Sequence, residues 1–79
     1  MNKYDYKFPV ICPTDGALIV YHLTIESKDK IMVEHIKSIC AIIKEKHQED
    51  IADILIGQFS GVHTITATHS DVLITTVRG

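Results

Sequence analysis

Hydrophobic residues alternate with polar ones along two stretches near the start of the chain, and this period-two pattern constrains the fold more than any other feature. The alternating residues are Tyr4, Tyr6, Phe8 and Val10 in 3–11, and Ile19, Tyr21, Leu23 and Ile25 in 17–26. Such alternation is typical of β-strands that bury one face. The intervening Cys12-Pro13-Thr14-Asp15-Gly16 has strong turn chemistry, so the two strands are predicted to form an antiparallel hairpin.

The middle of the chain changes to helical spacing. Apolar residues recur at this spacing in a first segment, at Met32, Ile36, Ile39, Cys40 and Ile43. Ser27 or Asp29 is predicted to cap this helix, and Lys44 and Lys46 suit its end. A second helix is predicted from about 49 to 59, with Ser60-Gly61 ending it.

The last part of the chain is rich in β-branched residues in 62–68 and 72–77, with His69-Ser70-Asp71 as a turn or bulge between them. The order ββααββ predicts one α+β domain over residues 1–79, with both helices on one face of a four-stranded antiparallel sheet. A chain of 79 residues buries only about 60–65% of its unfolded surface, so its core is marginal. Its exposed sheet edges therefore favour a homo-oligomer, in which a ring of subunits closes into a barrel.

Composition excludes two classes of partner. The formal net charge is −2 and Arg78 is the single arginine, so no basic stripe for nucleic acid is present. No apolar run approaches the roughly 20 residues that span a bilayer. The residues after Met1 do not form a signal peptide, which predicts a cytoplasmic protein in which Cys12 and Cys40 are free thiols.

A few polar residues are candidates for chemistry. Cys12, at a strand end, can act as a nucleophile if its pKa is lowered, or it can be a small buried hydrophobe. Cys40 lies on the apolar stripe of the first helix and is predicted to be core. His69, at another strand end, can donate a proton or be an ordinary turn residue. Arg78 can bind an anion with two hydrogen bonds or be an ordinary surface cation. Glu49 can be a solvated acid at a helix start.

Two short motifs join these candidates. Cys12, Pro13 and Gly16 form a Cys-Pro-x-x-Gly turn after a strand, and Gln48-Glu49-Asp50 opens the second helix. With the order of elements, they make the chain resemble the tunnelling-fold superfamily, which includes the 7-cyano-7-deazaguanine nitrile reductase of queuosine biosynthesis and GTP cyclohydrolase I. The resemblance implies a homo-oligomeric barrel with sites between subunits, where Glu49 would bind a purine or pterin base.

The first half of the chain is more similar to the nitrile reductase. That similarity implies that Cys12 attacks a nitrile carbon to give a covalent thioimide, while Asp15 or His69 moves protons. It also implies NADPH as the reductant, with Lys37 and Ser38 as residues that contact it. The acid that this family places several residues beyond its cysteine has no counterpart at the expected spacing, and Asp15 is the nearest substitute.

The second half resembles GTP cyclohydrolase I, through Gln48-Glu49, Ala67-Thr68-His69 and Arg78-Gly79. This implies that His69 assists proton transfer and that Arg78 meets a triphosphate. The zinc pattern of that family is broken, because its Cys-Glu-His-His run is replaced by Cys12-Pro13-Thr14-Asp15 and its second cysteine by Asp71. Cys12, Asp15 and Asp71 could still bind a metal ion, but one thiolate and two carboxylates make a poor zinc set, so zinc is the less favoured cofactor and no residue is assigned to a metal site.

Three functions follow from these patterns. The leading expectation is a nitrile reductase-like enzyme. The alternatives are a cyclohydrolase-like hydrolase, and a non-catalytic member that binds a base or only forms a ring.

Overall fold

The computed structural model describes all 79 residues and confirms the predicted order of elements. The elements are β1 (Asn2–Ile11), β2 (Leu18–Ser27), α1 (Val33–Ile42), α2 (Gln48–Ile56), β3 (Val62–His69) and β4 (Val72–Arg78). The strands form one antiparallel sheet in the order β1-β2-β3-β4. The chain is therefore an α+β domain with a four-stranded antiparallel sheet.

The core lies between one face of this sheet and the two helices. Strand register places Leu23 opposite Ile65, and the side chains of both are fully buried. The helices contribute Ile51 and Leu55, which are equally inaccessible, and Cys40 at 2% exposure. The prediction that Cys40 is a core residue is confirmed.

The start of α1 differs from the prediction. Its N-cap residue is Met32, and no side chain caps it, so the predicted caps are wrong. Ser27 instead ends β2, where its hydroxyl accepts the backbone N–H of Asp29 (3.1 Å) and bonds to the Ser60 hydroxyl (2.8 Å). These polar atoms join two loops, and they are therefore not available to the helix. No basic residue lies in the last turn of α1, because the helix ends before Lys44.

The second helix is shorter than predicted. It begins at Gln48 and ends at Ile56, with Gly57 as its C-cap. Phe59 is buried as expected but lies beyond the helix, in the connection to β3.

The sheet has two outer edges, one along β1 and one along β4. The last residue of β1 is covered, because the Ile11 N–H donates to the Lys44 carbonyl at 2.9 Å. The remaining length of β1 and the whole outer edge of β4 have no strand partner within the chain. With ten and nine residues, α1 and α2 are too short to cross a membrane.

Candidate functional site

The turn between β1 and β2 holds Asp15 beside Cys12. The Cys12 N–H donates to the Ala17 carbonyl at 2.8 Å, and the Gly16 N–H donates to the Cys12 carbonyl at 2.9 Å. Gly16 has φ +74°, a conformation that suits glycine. One carboxylate oxygen of Asp15, Oδ1, accepts the Ala17 N–H at 3.0 Å. The other oxygen, Oδ2, is thereby left for a partner outside the turn.

A second tight turn places His69. Ser70 and Asp71 have φ +50° and +69° and stand between the paired residues His69 and Val72. Two successive positive φ values in a two-residue hairpin are the signature of a type I′ turn. The expected turn or bulge is therefore a turn, and it ends β3 with His69 on the same sheet face as the buried Ala67.

These two turns meet at the same end of the sheet. His69 Nε2 lies 2.9 Å from Asp15 Oδ2, although 54 residues separate them in the sequence. The Cys12 sulfur, an Asp15 oxygen and a His69 nitrogen all lie within 4.8 Å of one another. Cys12 is buried, whereas the side chains of Asp15 and His69 are 46% and 27% exposed. The group, here called the Cys12 cluster (Cys12, Asp15 and His69), is therefore open to solvent on one side.

Hydrogen bonds favour the charged form of Asp15. The pKa of the Asp15 carboxyl is held below its usual value by hydrogen bonds. The bond from the Ala17 N–H contributes most, followed by the bonds from His69 and from the Cys12 thiol. The other thiol is in a contrasting environment. Burial among apolar residues raises the pKa of Cys40 to about 11, which keeps it a neutral and unreactive thiol. Both cysteines are free, as the sequence predicted.

The start of α2 lies against the same turn. Thr14 Oγ1 and His47 Nε2 are 2.9 Å apart, and His47 is the N-cap residue of α2. Glu49 is two residues further on, exposed and in the first turn of the helix. The role of His47 was not predicted, because its contact spans 33 residues and leaves no local pattern.

Gln48 faces inward and attaches α2 to the sheet. Its Nε2 donates to the carbonyls of Ile65 (3.0 Å) and Ile74 (3.1 Å) and to Thr76 Oγ1 (3.1 Å). These acceptors belong to β3 and β4. Gln48, which the resemblance groups with Glu49, therefore stabilises the fold, whereas Glu49 remains exposed at the surface.

Arg78 lies away from the Cys12 cluster. It pairs in register with His63, at the opposite end of β3 from His69. At about 3.3 Å per residue, the two ends of this strand lie roughly 20 Å apart. The Arg78 Nε donates to Asp53 Oδ1 at 2.9 Å. Within one chain Arg78 is part of an ion pair and does not reach the cluster.

Lys37 and Ser38 are also remote from it. The Ser38 hydroxyl donates to the Glu34 carbonyl of its own helix at 2.7 Å. Lys37 lines a groove of about 300 Å³ together with Tyr4 and Tyr6, beside the first half of β1. Cys12 follows the end of that strand, so within one chain these two residues do not form a nicotinamide site with the cluster.

The donor set of the cluster is compatible with a metal ion. Sulfur, carboxylate oxygen and imidazole nitrogen are all zinc ligands in proteins. The sequence grouped Asp71 with Cys12 and Asp15, but Asp71 is not part of the group that the structure brings together. The third member is His69, because it ends β3 whereas Asp71 stands in the turn beyond it.

The cluster lies outside the concave parts of the surface. Three pockets are present, and none is lined by Cys12, Asp15 or His69. Comparisons of the chain with known protein families, with curated proteins and with solved structures find no significant match.

Proposed function

We propose that this chain is a tunnelling-fold enzyme that acts on a purine-like, 7-deazaguanine-like or pterin base, in the manner of a nitrile reductase. The observation that supports this proposal is the meeting of Cys12, Asp15 and His69 within 4.8 Å. A nucleophile within reach of two proton carriers is the arrangement that covalent catalysis needs. The Thr14–His47 contact adds support, because it brings the helix start that carries Glu49 to the same turn.

The proposed reaction is addition of the Cys12 thiol to a nitrile. The sulfur–carbon bond forms as the S–H bond breaks, and the proton passes to the nitrile nitrogen to give a thioimide. Asp15 accepts the thiol proton, and His69, 2.9 Å from the Asp15 carboxylate, relays it to the nitrogen. No electrons are gained or lost, so the addition needs no co-reactant.

Glu49 has the substrate-binding role in this proposal. A carboxylate accepts a pair of N–H bonds from the edge of a guanine-like base and so fixes its orientation. Reduction of the adduct would require a hydride donor such as NADPH. Lys37 lies beside Tyr4 and Tyr6 and not beside Cys12, so the reaction proposed for these residues ends at the covalent adduct.

A second copy of the chain completes the site in this proposal. The cluster lines no pocket of the single chain, and a base needs an enclosed surface to displace water. The unpaired edges of β1 and β4 are the surfaces through which copies would join into a ring. Sedimentation should therefore show an assembly several times larger than the 8.9 kDa chain, and a monomer at micromolar concentration would contradict this part. A reducing compartment such as the cytoplasm would keep both thiols free.

Intact-protein mass spectrometry tests the reaction. After incubation with 7-cyano-7-deazaguanine, the wild-type chain should gain the mass of one ligand, and Cys12→Ala should gain none. Cys40→Ala is the matched control and should still form the adduct, because Cys40 is not a member of the cluster and burial raises the pKa of its thiol to about 11, which keeps it unreactive. No gain in the wild type, or an equal gain in Cys12→Ala, would refute the mechanism.

Calorimetry distinguishes an enzyme from a binding protein. If wild type and Cys12→Ala bind the base equally, Glu49→Gln does not, and no adduct forms, the chain is a non-catalytic base-binding member. If purines and pterins all fail to bind, the proposal is wrong at the level of ligand class, and a ring-forming scaffold remains.

A further inference from the structure

We infer that the Cys12 cluster is also a binding site for a thiophilic divalent metal ion such as Zn²⁺, and that a bound ion blocks the Cys12 thiol. The cluster is the one place in the chain where three metal-ligating side chains converge. Its donors are a sulfur, a carboxylate oxygen and an imidazole nitrogen, a mixed set that suits zinc and neighbouring first-row metals.

The distances require only side-chain movement. Zinc bonds of about 2.0–2.3 Å in a tetrahedron place ligand atoms roughly 3.3–3.6 Å apart. The Asp15–His69 separation of 2.9 Å must widen slightly, and the distances to Cys12, at most 4.8 Å, must shorten by about 1 Å. Rotations about side-chain bonds produce shifts of this size without moving either strand.

The surroundings of the cluster orient the ligands. The Ala17 N–H holds Asp15 Oδ1 at 3.0 Å, so Oδ2 is directed toward His69. Such a hydrogen bond to the far oxygen is the outer support that metal-binding carboxylates use. Three protein ligands leave the fourth tetrahedral position open for water. The partial exposure of Asp15 and His69 gives an ion a path from solvent.

This ligand set is not the one that the cyclohydrolase resemblance implies. That resemblance assigns His69 to proton transfer and would have needed a ligand at Asp71. The other histidine–aspartate pair of the chain, His22 and Asp5 at 3.0 Å, has no thiol among its partners. The geometry therefore distinguishes the Cys12 cluster from an ordinary surface ion pair.

Metal binding and nucleophilic attack compete for the same sulfur of Cys12. When the ion binds, a sulfur–metal bond forms as the S–H bond breaks, and the proton leaves to solvent with no change in oxidation state. The sulfur is then held by the metal and is less available to attack carbon.

Titration of the metal-free full-length chain with Co²⁺ tests the site. Thiolate ligation should give a near-ultraviolet charge-transfer band that saturates at one ion per chain. Asp15→Asn and His69→Gln should each weaken binding by more than the roughly 10- to 100-fold typical of losing an outer-shell partner. The matched control His22→Gln should bind as the wild type does, and far-ultraviolet circular dichroism establishes that each variant is folded. The inference would be overturned by the absence of a band in the wild type. It would also be overturned if Asp15→Asn and His69→Gln bound Co²⁺ as tightly as the wild type.

Alkylation measures the blocking directly. A Zn²⁺ concentration just sufficient to saturate the wild type should slow iodoacetamide modification of its Cys12 at least about 10-fold, in proportion to metal occupancy, and the same concentration should slow it far less in His69→Gln. An unchanged rate in the wild type would refute the blocking. Neither experiment uses a nitrile, so a failed adduct together with a cobalt band would refute the proposed function alone. A nitrile adduct without a cobalt band would refute the metal site alone.

Discussion

Replacing Gln48 should destabilise the fold in a way that depends on the chemistry of the replacement. The side-chain amide of Gln48 is buried, and its Nε2 contacts three acceptors on β3 and β4 at 3.0–3.1 Å. An amide nitrogen has two hydrogens, so one of them is shared between acceptors. Gln48→Leu removes both hydrogens and replaces the amide by an apolar side chain of similar size.

The expected loss follows from the number of hydrogen bonds. The two amide hydrogens provide about two full hydrogen bonds, each contributing about 0.5–1.5 kcal/mol net, so Gln48→Leu should lower the free energy of unfolding by about 1–3 kcal/mol. Gln48→Glu is nearly isosteric but replaces the donor by an acceptor that faces three other acceptors. A buried carboxylate without a donor is worse than an apolar group, so Gln48→Glu should lose more than about 3 kcal/mol at neutral pH.

Urea unfolding followed by circular dichroism measures these changes. The denaturation midpoint should decrease with an unchanged slope, since the surface exposed on unfolding is the same. For a domain of this size, 1 kcal/mol corresponds to a melting-temperature shift of about 4–8 °C. Gln58→Leu is the control, because the exposed Gln58 lies just beyond α2 and should change stability by under about 0.5 kcal/mol.

Two results would refute this reasoning. The first is equal stability of Gln48→Leu and Gln58→Leu, which would mean that the three contacts contribute nothing. The second is a Gln48→Glu variant that is no less stable than Gln48→Leu, which would mean that the donor character of the amide is irrelevant.

Three further changes have defined outcomes. Gly61→Ala should lower the free energy of unfolding by at least about 2 kcal/mol, because Gly61 has φ +101° and an added Cβ would lie 2.3 Å from the Glu26 carbonyl oxygen. Gly57→Ala is the control and should be nearly neutral in the same urea assay, because Gly57 has helical dihedral angles and room for a Cβ. Replacing Ser70-Asp71 by Asn-Gly should raise the melting temperature by several degrees, since both positions have positive φ, and an unchanged or lower value would count against the type I′ turn. Burial lowers the pKa of His63, whose Nδ1 has no partner. The unfolded chain therefore binds a proton below the ordinary histidine value of about 6.5 that the folded chain does not. Stability should be fully present above that pH and should fall as the pH decreases below it, and urea midpoints for His63→Leu should show a weaker decrease over the same range.

The order of elements was predictable because each element repeats its signal. Tyr21, Leu23 and Ile25 alternate along β2, and every second side chain of that strand is buried in the structure. The signal for β3 is its richness in β-branched residues over 62–68, and its buried side chains also alternate, at His63, Ile65 and Ala67. A pattern that is repeated over a whole strand is not obscured by one unusual residue.

The ends of the helices were less predictable, because they depend on contacts made elsewhere. Ser27 and Asp29 have good capping chemistry, but their polar atoms are bonded to each other and to Ser60. Similarly, α2 ends at Ile56 although the apolar spacing continues to Phe59, because the chain must turn there into β3. Local sequence does not show which partner a polar side chain finds in the folded chain.

The residues of the candidate site were named from the sequence, and the resemblance assigned Cys12, Asp15 and His69 to one mechanism, but no local pattern shows that they are neighbours. The predicted antiparallel sheet contains a usable signal. If consecutive strands are neighbours, the β1–β2 and β3–β4 turns lie at the same end, which would have placed Cys12, Asp15 and His69 together. The inward role of Gln48 and the contact of His47 leave no such signal, because they depend on where α2 packs on the sheet.

The contact between His69 and Asp15 is the most direct measure of the Cys12 cluster. Long-range ¹H–¹⁵N NMR reports the ring nitrogens of each histidine separately and needs neither ligand nor metal. If the cluster exists, Asp15→Asn should shift the His69 Nε2 resonance, because it removes the carboxylate 2.9 Å away, and should leave His22, which bonds to Asp5, unchanged. A His69 resonance that does not respond to Asp15→Asn would contradict the grouping on which the proposed chemistry and the metal site both depend.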